Sequence, residues 1–191
     1  MYTAVLDTCV LWPSLQRDFL LSLAAEGLYR PVWSSAVLDE LWETENAKHL
    51  DRGGGSADDA GRRADHLIDQ MRTAFVDADV DGWQRLEGVF GLPDAADEHL
   101  LAVAVVSGAE AVVTENVRDL PPRLVPEPVQ VLRVGDFAFN TVAVSPRRAR
   151  AAVSQIASRF GRHGPRRTEA EIGASLRRLY GMGDAMDLLG L

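Results

Sequence analysis

Asp7 closes the apolar run of residues 2–6. An acid at the carboxyl end of a buried strand projects into the crevice where α/β folds bind ligands, although it could equally cap the turn that follows. The segment VVTENVRDLP brings Thr114, Asn116 and Asp119 to the end of a second apolar run. Turn chemistry alone favours Asn and Asp there, but two strands ending in polar side chains point to one shared edge. In PDAADEHLLAVAV, Asp94, Asp97 and Glu98 crowd the start of a helix, where negative charge is favoured. Asp94 is the expected N-cap. Asp97 lies one turn further on, on the side of Leu100, Leu101 and Ala104, and a carboxylate facing a buried stripe needs a partner such as a metal ion. Glu98 is expected in solvent. In SSAVLDELWETE, Glu40 shares a face with Ala36 and Val37 and competes with Asp39 for the inward position; helical spacing does not separate the two. Glu43 and Glu45 are expected to be solvated.

Carboxylates converging on one end of a sheet suit a hard divalent cation such as Mg²⁺, which prefers oxygen ligands, keeps several waters and binds through a few carboxylates plus substrate phosphates. Such a site polarises a scissile phosphate and activates water. Competing chemistries lack their residues. There is no G-x-x-x-x-G-K-[ST], no G-x-G-x-x-G after a strand, no G-x-S-x-G and no H-E-x-x-H. LDTCVL has no second aspartate two residues on, as an aspartyl-phosphate phosphatase would require. His49, His66, His99 and His163 are scattered, and with the single Cys9 they form no zinc spacing.

The elements that must position these acids follow from periodicity. Residues 2–6, 111–114 and 129–132 read as short buried strands. Pro13 opens a helix through Phe19, Leu20 and Leu23 to a stop at Gly27. Ser34 or Ser35 caps a second, with Val37, Leu38, Leu41 and Trp42 as its stripe. Residues 49–59, containing Gly53-Gly54-Gly55, read as a flexible loop, followed by a third helix with Leu67, Ile68 and Met71 inward. Pro93 and Asp94 open a fourth that buries Leu100, Leu101, Ala104 and Val105 and ends at Gly108. Short strands alternating with helices predict a three-layer α/β/α domain around a central parallel sheet. After about residue 140 the strands stop. Pro146 begins an arginine-rich helix, residues 161–165 turn, and 169–180 are helical again. The expected division is therefore a domain over 1–140 and a helical extension over 141–191.

At 191 residues the chain can bury one domain and a modest extension. It has no apolar run near the roughly 20 residues that span a membrane. The acid in MYTAVLDTCVLW argues against a secretory leader. One cysteine allows no internal disulfide and fits a reducing cytoplasm. The net charge of −8 argues superficially against a nucleic-acid partner, but its distribution is uneven. Residues 1–145 hold 11 basic and 24 acidic side chains, a balance of −13, while residues 146–191 hold 9 and 4, a balance of +5. The acidic part could hold cations and the tail could meet phosphate; two differently solvated surfaces would give the same balance.

The stretches AVLDTCVLWP, LYRPVWSSAVLDELW and LPDAADEHLLAVAVVSGAEAVVTENVRDLP, in this order over the first 140 residues, resemble the PIN-domain family, in particular the VapC-type toxin ribonucleases. The resemblance implies a Mg²⁺-dependent (or Mn²⁺-dependent) endoribonuclease of a type II toxin–antitoxin pair, acting through metal-activated water. Asp7, Glu40 rather than Asp39, and Asp97 match the family's metal ligands, and Asn116 and Asp119 its polar pair after the second strand. Asn116 departs from members with aspartate there, and Cys9 stands where many have asparagine; its thiol reads as packing. The resemblance also implies RNA as substrate, a protein antitoxin whose segment blocks the acidic crevice, a homodimer, and a branch with a C-terminal helical extension. The rival readings are a catalytically silent association module and a structure-specific DNA nuclease.

Overall fold

The computed structural model describes residues 2–51, 56–160 and 165–191. Strand β1 (Thr3–Leu6) leads into the one-turn helix α1 (Thr8–Leu11) and then α2 (Ser14–Ala25). Strand β2 (Arg30–Val32) is followed by α3 (Ser35–Asp51) and α4 (Ala57–Ala74). A 3-10 turn, Ala95–Asp97, feeds α5 (Glu98–Ser107), which gives way to β3 (Ala111–Val113) and β4 (Gln130–Leu132). Four helices complete the chain: α6 (Val134–Val144), α7 (Pro146–Arg159), α8 (Glu169–Tyr180) and α9 (Gly183–Leu189).

The strands form one parallel sheet in the order β2-β1-β3-β4. Thr3–Leu6 and Ala111–Val113 are buried throughout, as expected of central strands covered on both faces. The chain leaves β1 toward β2 and leaves β3 in the opposite direction toward β4, so the order reverses between β1 and β3. Right-handed crossovers then place α2 over one face and α3 to α5 over the other. Both helical layers contact the sheet, α2 through β2 and α5 through β1 and β3. The reversal point is where folds of this class open their crevice, at the carboxyl ends of the two strands. Asp7 and Thr114 stand there.

Strand β2 was not expected. It has three residues, includes Pro31 and lies at the sheet edge, the position where a missing N–H is tolerated. Helix α5 starts at Glu98 rather than beside Pro93, because residues 95–97 are wound as a 3-10 turn. Val105 is exposed, not buried, while Leu100, Leu101, Ala102, Val103 and Ala104 are all inside. Helix α5 is thus enclosed on most sides rather than along one stripe. Gly108 ends it at φ +67, a conformation that suits glycine. The expected loop over residues 49–59 is helical up to Asp51 and again from Ala57; Arg52–Gly55 lie outside the described residues, as do 161–164 of the expected turn.

The C-terminal helices share the core of the sheet domain. Phe137 of α6 packs edge-on against Tyr29 with ring centroids 4.9 Å apart, and Tyr2 completes the cluster. Helix α7 buries Ala149, Ala152, Val153 and Ile156 and lies along α2. Several tail arginines are tied up internally: Arg150 to Glu169 and the Leu189 carbonyl, Arg159 to Ser22, Arg177 to Asp187 and the Leu191 carbonyl. Gly135 lets α6 approach the turn after α8, since a Cβ there would stand 2.6 Å from the Gly181 carbonyl oxygen. Among the described residues no helix is long and apolar enough to cross a membrane.

Candidate metal centre

Asp7 occupies the N-cap position of α1, yet its side chain makes no capping hydrogen bond. Its carboxylate turns to the neighbouring strand instead. The Thr114 hydroxyl donates to Asp7 Oδ2 at 2.5 Å, and the Cys9 thiol lies 3.0 Å from the same oxygen. The backbone supports this, because the Asp7 N–H donates to the Val113 carbonyl at 3.1 Å and extends the β1–β3 pairing by one residue. Asp7 is 6% exposed. Among the described residues no donor reaches Oδ1.

Ser34 starts α3, its Oγ accepting from the Val37 N–H at 3.0 Å. With Val37, Leu38 and Leu41 buried, Asp39 and Glu40 both fall on the exposed side. What separates them is Thr8, the residue after Asp7, whose hydroxyl donates to Glu40 Oε2 at 2.7 Å. Asp39 instead lines a cleft between α3 and α4 with Trp42, Asp65 and Arg72. The structure thus brings Glu40 to the Asp7 side and leaves Asp39 away from it.

Asp97 ends the 3-10 turn that Asp94 caps by accepting from the Ala96 N–H at 2.9 Å. Its carboxyl is pushed up to about 6 by burial and then by the charges of Asp7, Asp94, Asp119 and Glu40. Each of these acids is therefore near enough to repel it. Glu98, expected in solvent, is 3% exposed. Although burial raises its pKa, the N–H groups of Leu92, Phe90 and Gly91 outweigh that and hold it below the usual carboxylate range. Glu98 thereby ties residues 90–92 to the start of α5. His99 lies buried behind the acids. The Ser34 hydroxyl and His99 Nδ1 are 2.9 Å apart, and burial lowers the imidazole pKa. Since Ser34 Oγ accepts from Val37, its proton is free to go to a neutral ring.

Beyond β3 the Thr114 Oγ1 accepts from the Asn116 N–H at 3.0 Å, and the Asn116 carbonyl accepts from the Asp119 N–H at 3.0 Å. This turn carries Asp119, half-buried, toward Asp97, whereas the Asn116 side chain is exposed. Beside the acids a cleft of about 940 Å³ runs from Cys9 past Trp12, Lys48 and Arg133 to Tyr180.

A family model for the PIN domain matches residues 3–118, more than half of the chain. The chain belongs to the PIN-domain family. The match runs from β1 to Arg118 and so contains Asp7, Glu40, Asp97 and Asn116, while Asp119 and all that follows lie beyond it. No curated protein and no solved structure matches the chain. PIN domains are usually metal-dependent nucleases, which raises the question whether these residues fit a divalent cation. The donor chemistry fits: the charges of four carboxylates reach Asp97, and among the described residues none of Asp7, Glu40, Asp97 and Asp119 is salt-bridged. The spacing is open. Among the described residues no three His, Cys, Asp or Glu side chains are gathered closely enough to hold an ion as they stand. Mg²⁺, which retains several waters, tolerates such spacing better than a cation that needs an all-protein cage.

Three contributors to this PIN-domain site escaped the sequence reading. Thr8 and Cys9 sit beside Asp7 in a helix of one turn, too short to show a period. Ser34 was expected as a cap, but its pairing with His99 joins residues 65 apart in sequence. Thr8 and Cys9 are signalled by adjacency to Asp7, whereas nothing near Ser34 in the sequence points to His99.

Proposed function

We propose that this protein is a Mg²⁺-dependent endoribonuclease, the toxin of a type II toxin–antitoxin pair of the VapC kind, with a nuclease domain over residues 1–140 and a helical extension over 141–191. The observation that carries the reading is geometric: Asp7 at the strand-order reversal is held by Thr114, Thr8 brings Glu40 to the same side, the charges of both reach Asp97, and among the described residues no basic side chain is paired to Asp7, Glu40, Asp97 or Asp119. Uncompensated carboxylates at such a place are destabilising unless a cation joins them. Asp7, Glu40 and Asp97 would hold it, and Mn²⁺ could replace Mg²⁺. When bound, the cation supplies Lewis acidity toward a phosphate oxygen and makes an attacking water easier to deprotonate. The chain's own groups do the rest. Thr8 and Thr114 orient Glu40 and Asp7. Asp119 and Asn116, on the turn after β3, orient the water or the scissile phosphate. An antitoxin segment would occupy the acidic crevice.

The open spacing of the acids is the one feature that favours a silent association module. Mapping cleavage sites across total cellular RNA with Mg²⁺, with excess EDTA, and with Asp7→Asn decides between them. Cleavage confined to the wild type with metal supports the reading; folded wild type without Mg²⁺-dependent cleavage overturns it. Offering DNA beside RNA distinguishes the DNA-nuclease alternative.

A further inference from the structure

A carboxylate oxygen has two lone pairs, and Asp7 Oδ2 meets two potential donors, Thr114 Oγ1 at 2.5 Å and Cys9 Sγ at 3.0 Å. The direction of each bond follows from its neighbours. Thr114 Oγ1 already accepts from the Asn116 N–H, so its proton goes to Asp7. Cys9 Sγ accepts from the Glu115 N–H at 3.2 Å and also touches Thr114 Oγ1 at 3.4 Å, and of its two acceptors the charged Asp7 oxygen at 3.0 Å is the nearer and stronger, so the thiol proton goes to the carboxylate. Glu115 is itself fixed, accepting from the Val134 N–H at 3.1 Å and pairing with Arg133 at 3.0 Å. The thiol is therefore the middle link of a chain that runs from the start of α6 through Glu115 to Asp7.

We propose that Cys9 is a positioning residue: together with Thr114 it saturates Asp7 Oδ2 and holds the carboxylate so that Oδ1 is presented to the divalent cation. This rests on the reading of Asp7 as a metal ligand. A packing role for Cys9 would need its bulk alone; the positioning role needs its donor.

The test is Mn²⁺ affinity of the full chain without RNA, by calorimetric titration, with melting temperature measured on the same samples. Cys9→Ala should weaken binding about 10-fold, the lower end of what loss of a group orienting a metal ligand costs. Cys9→Val, which roughly matches the thiol in bulk but lacks its donor, should weaken it equally and guards against a cavity effect. Cys9→Ser, which keeps a donor, should recover most of the loss, and Asp7→Asn should abolish binding. If Asp7→Asn abolishes binding while Cys9→Ala and Cys9→Val bind as well as or better than wild type, Cys9 is packing and the proposal is wrong. Equal losses in the Ala, Val and Ser variants would also overturn it, by assigning the effect to shape. A wild type that binds no Mn²⁺ overturns the proposal and the metal reading together.

Discussion

Burial and four neighbouring carboxylates all act on Asp97 in one direction, and on the proposed reading of Asp97 as a metal ligand its ionisation would couple stability to the cation. A carboxyl at about 6 when folded, against an ordinary 3.8, binds its proton more tightly in the folded state. Its stabilising contribution is present in full below about 3.8 and disappears as pH rises through about 6, so the metal-free protein carries a penalty at pH 7. Asp97→Asn should accordingly raise the melting temperature of the EDTA-treated protein at pH 7, with the gain shrinking toward pH 5, while wild type gains more from added Mg²⁺. Thermal melts of both proteins across that range check it; a variant no more stable than wild type at pH 7 would show that the repulsion is relieved some other way. Asp94 plays a different part, as the cap of the 3-10 turn. Asp94→Ala should cost about 1 kcal/mol by urea denaturation and leave most of the activity, whereas Asp97→Asn should remove activity.

Helix α1 is a single turn that carries Thr8 and Cys9, and it cannot hold its own shape. Gln16 and Arg17 of α2 donate to its last carbonyls, Val10 O and Leu11 O, at 2.8 Å each. Arg17 is in turn paired with Glu45 of α3 at 3.0 Å, and Lys48 joins at 2.9 Å. Glu45 was expected in solvent and is 4% exposed. Burial pushes its pKa up, but Lys48 and Arg17 outweigh that and hold it below the usual range, so this support persists at neutral pH and fades on acidification. Glu45→Ala strands a buried guanidinium and should cost about 3 kcal/mol in urea denaturation, with activity falling as α1 loosens. Replacing Arg17 and Glu45 together by apolar residues of similar volume should cost less. Equal costs would mean that the pair is not what holds α1.

At the scale of the molecule, helices α6 to α9 are built into the same core as the sheet, with Phe137, Val153, Ile156, Leu176 and Met186 fully buried in it. Deleting residues 146–191 should therefore abolish the cooperative unfolding transition of the full chain in calorimetry; a truncated chain that melts cooperatively would show a self-sufficient sheet domain. Phosphate capture by the tail is better tested by charge. Among the described residues Arg147, Arg166 and Arg178 are exposed, and no ion pair or side-chain hydrogen bond engages them. If each meets one phosphate, converting all three to Gln in an Asp7→Asn background should reduce the log–log salt slope of single-strand RNA binding by about 2. An unchanged slope assigns the tail to packing or partner binding.

The parallel α/β architecture was legible because β1, β3 and β4 are apolar runs and the first helices repeat with a helical period. Legibility ended where partners are distant. Strand β2 owes its pairing to β1 and holds a proline that contradicts its type. Helix α6 reads VGDFAFNTVAV, in which Val, Phe and Thr favour strands, and its burial against Tyr2 and Tyr29 decides for helix. Glu45 and Glu98 read as solvated because the groups that satisfy them, Arg17 and the N–H groups of residues 90–92, lie on other segments. The sequence by itself determined which acids end which elements, since strand ends and helix starts are local. Only the tertiary structure decided which of them meet: the reversal of strand order between β1 and β3 sets Asp7 against Thr114, and Thr8 brings in Glu40 rather than Asp39. A contact between residues 107 apart is a property of the packed chain, and no local pattern encodes it.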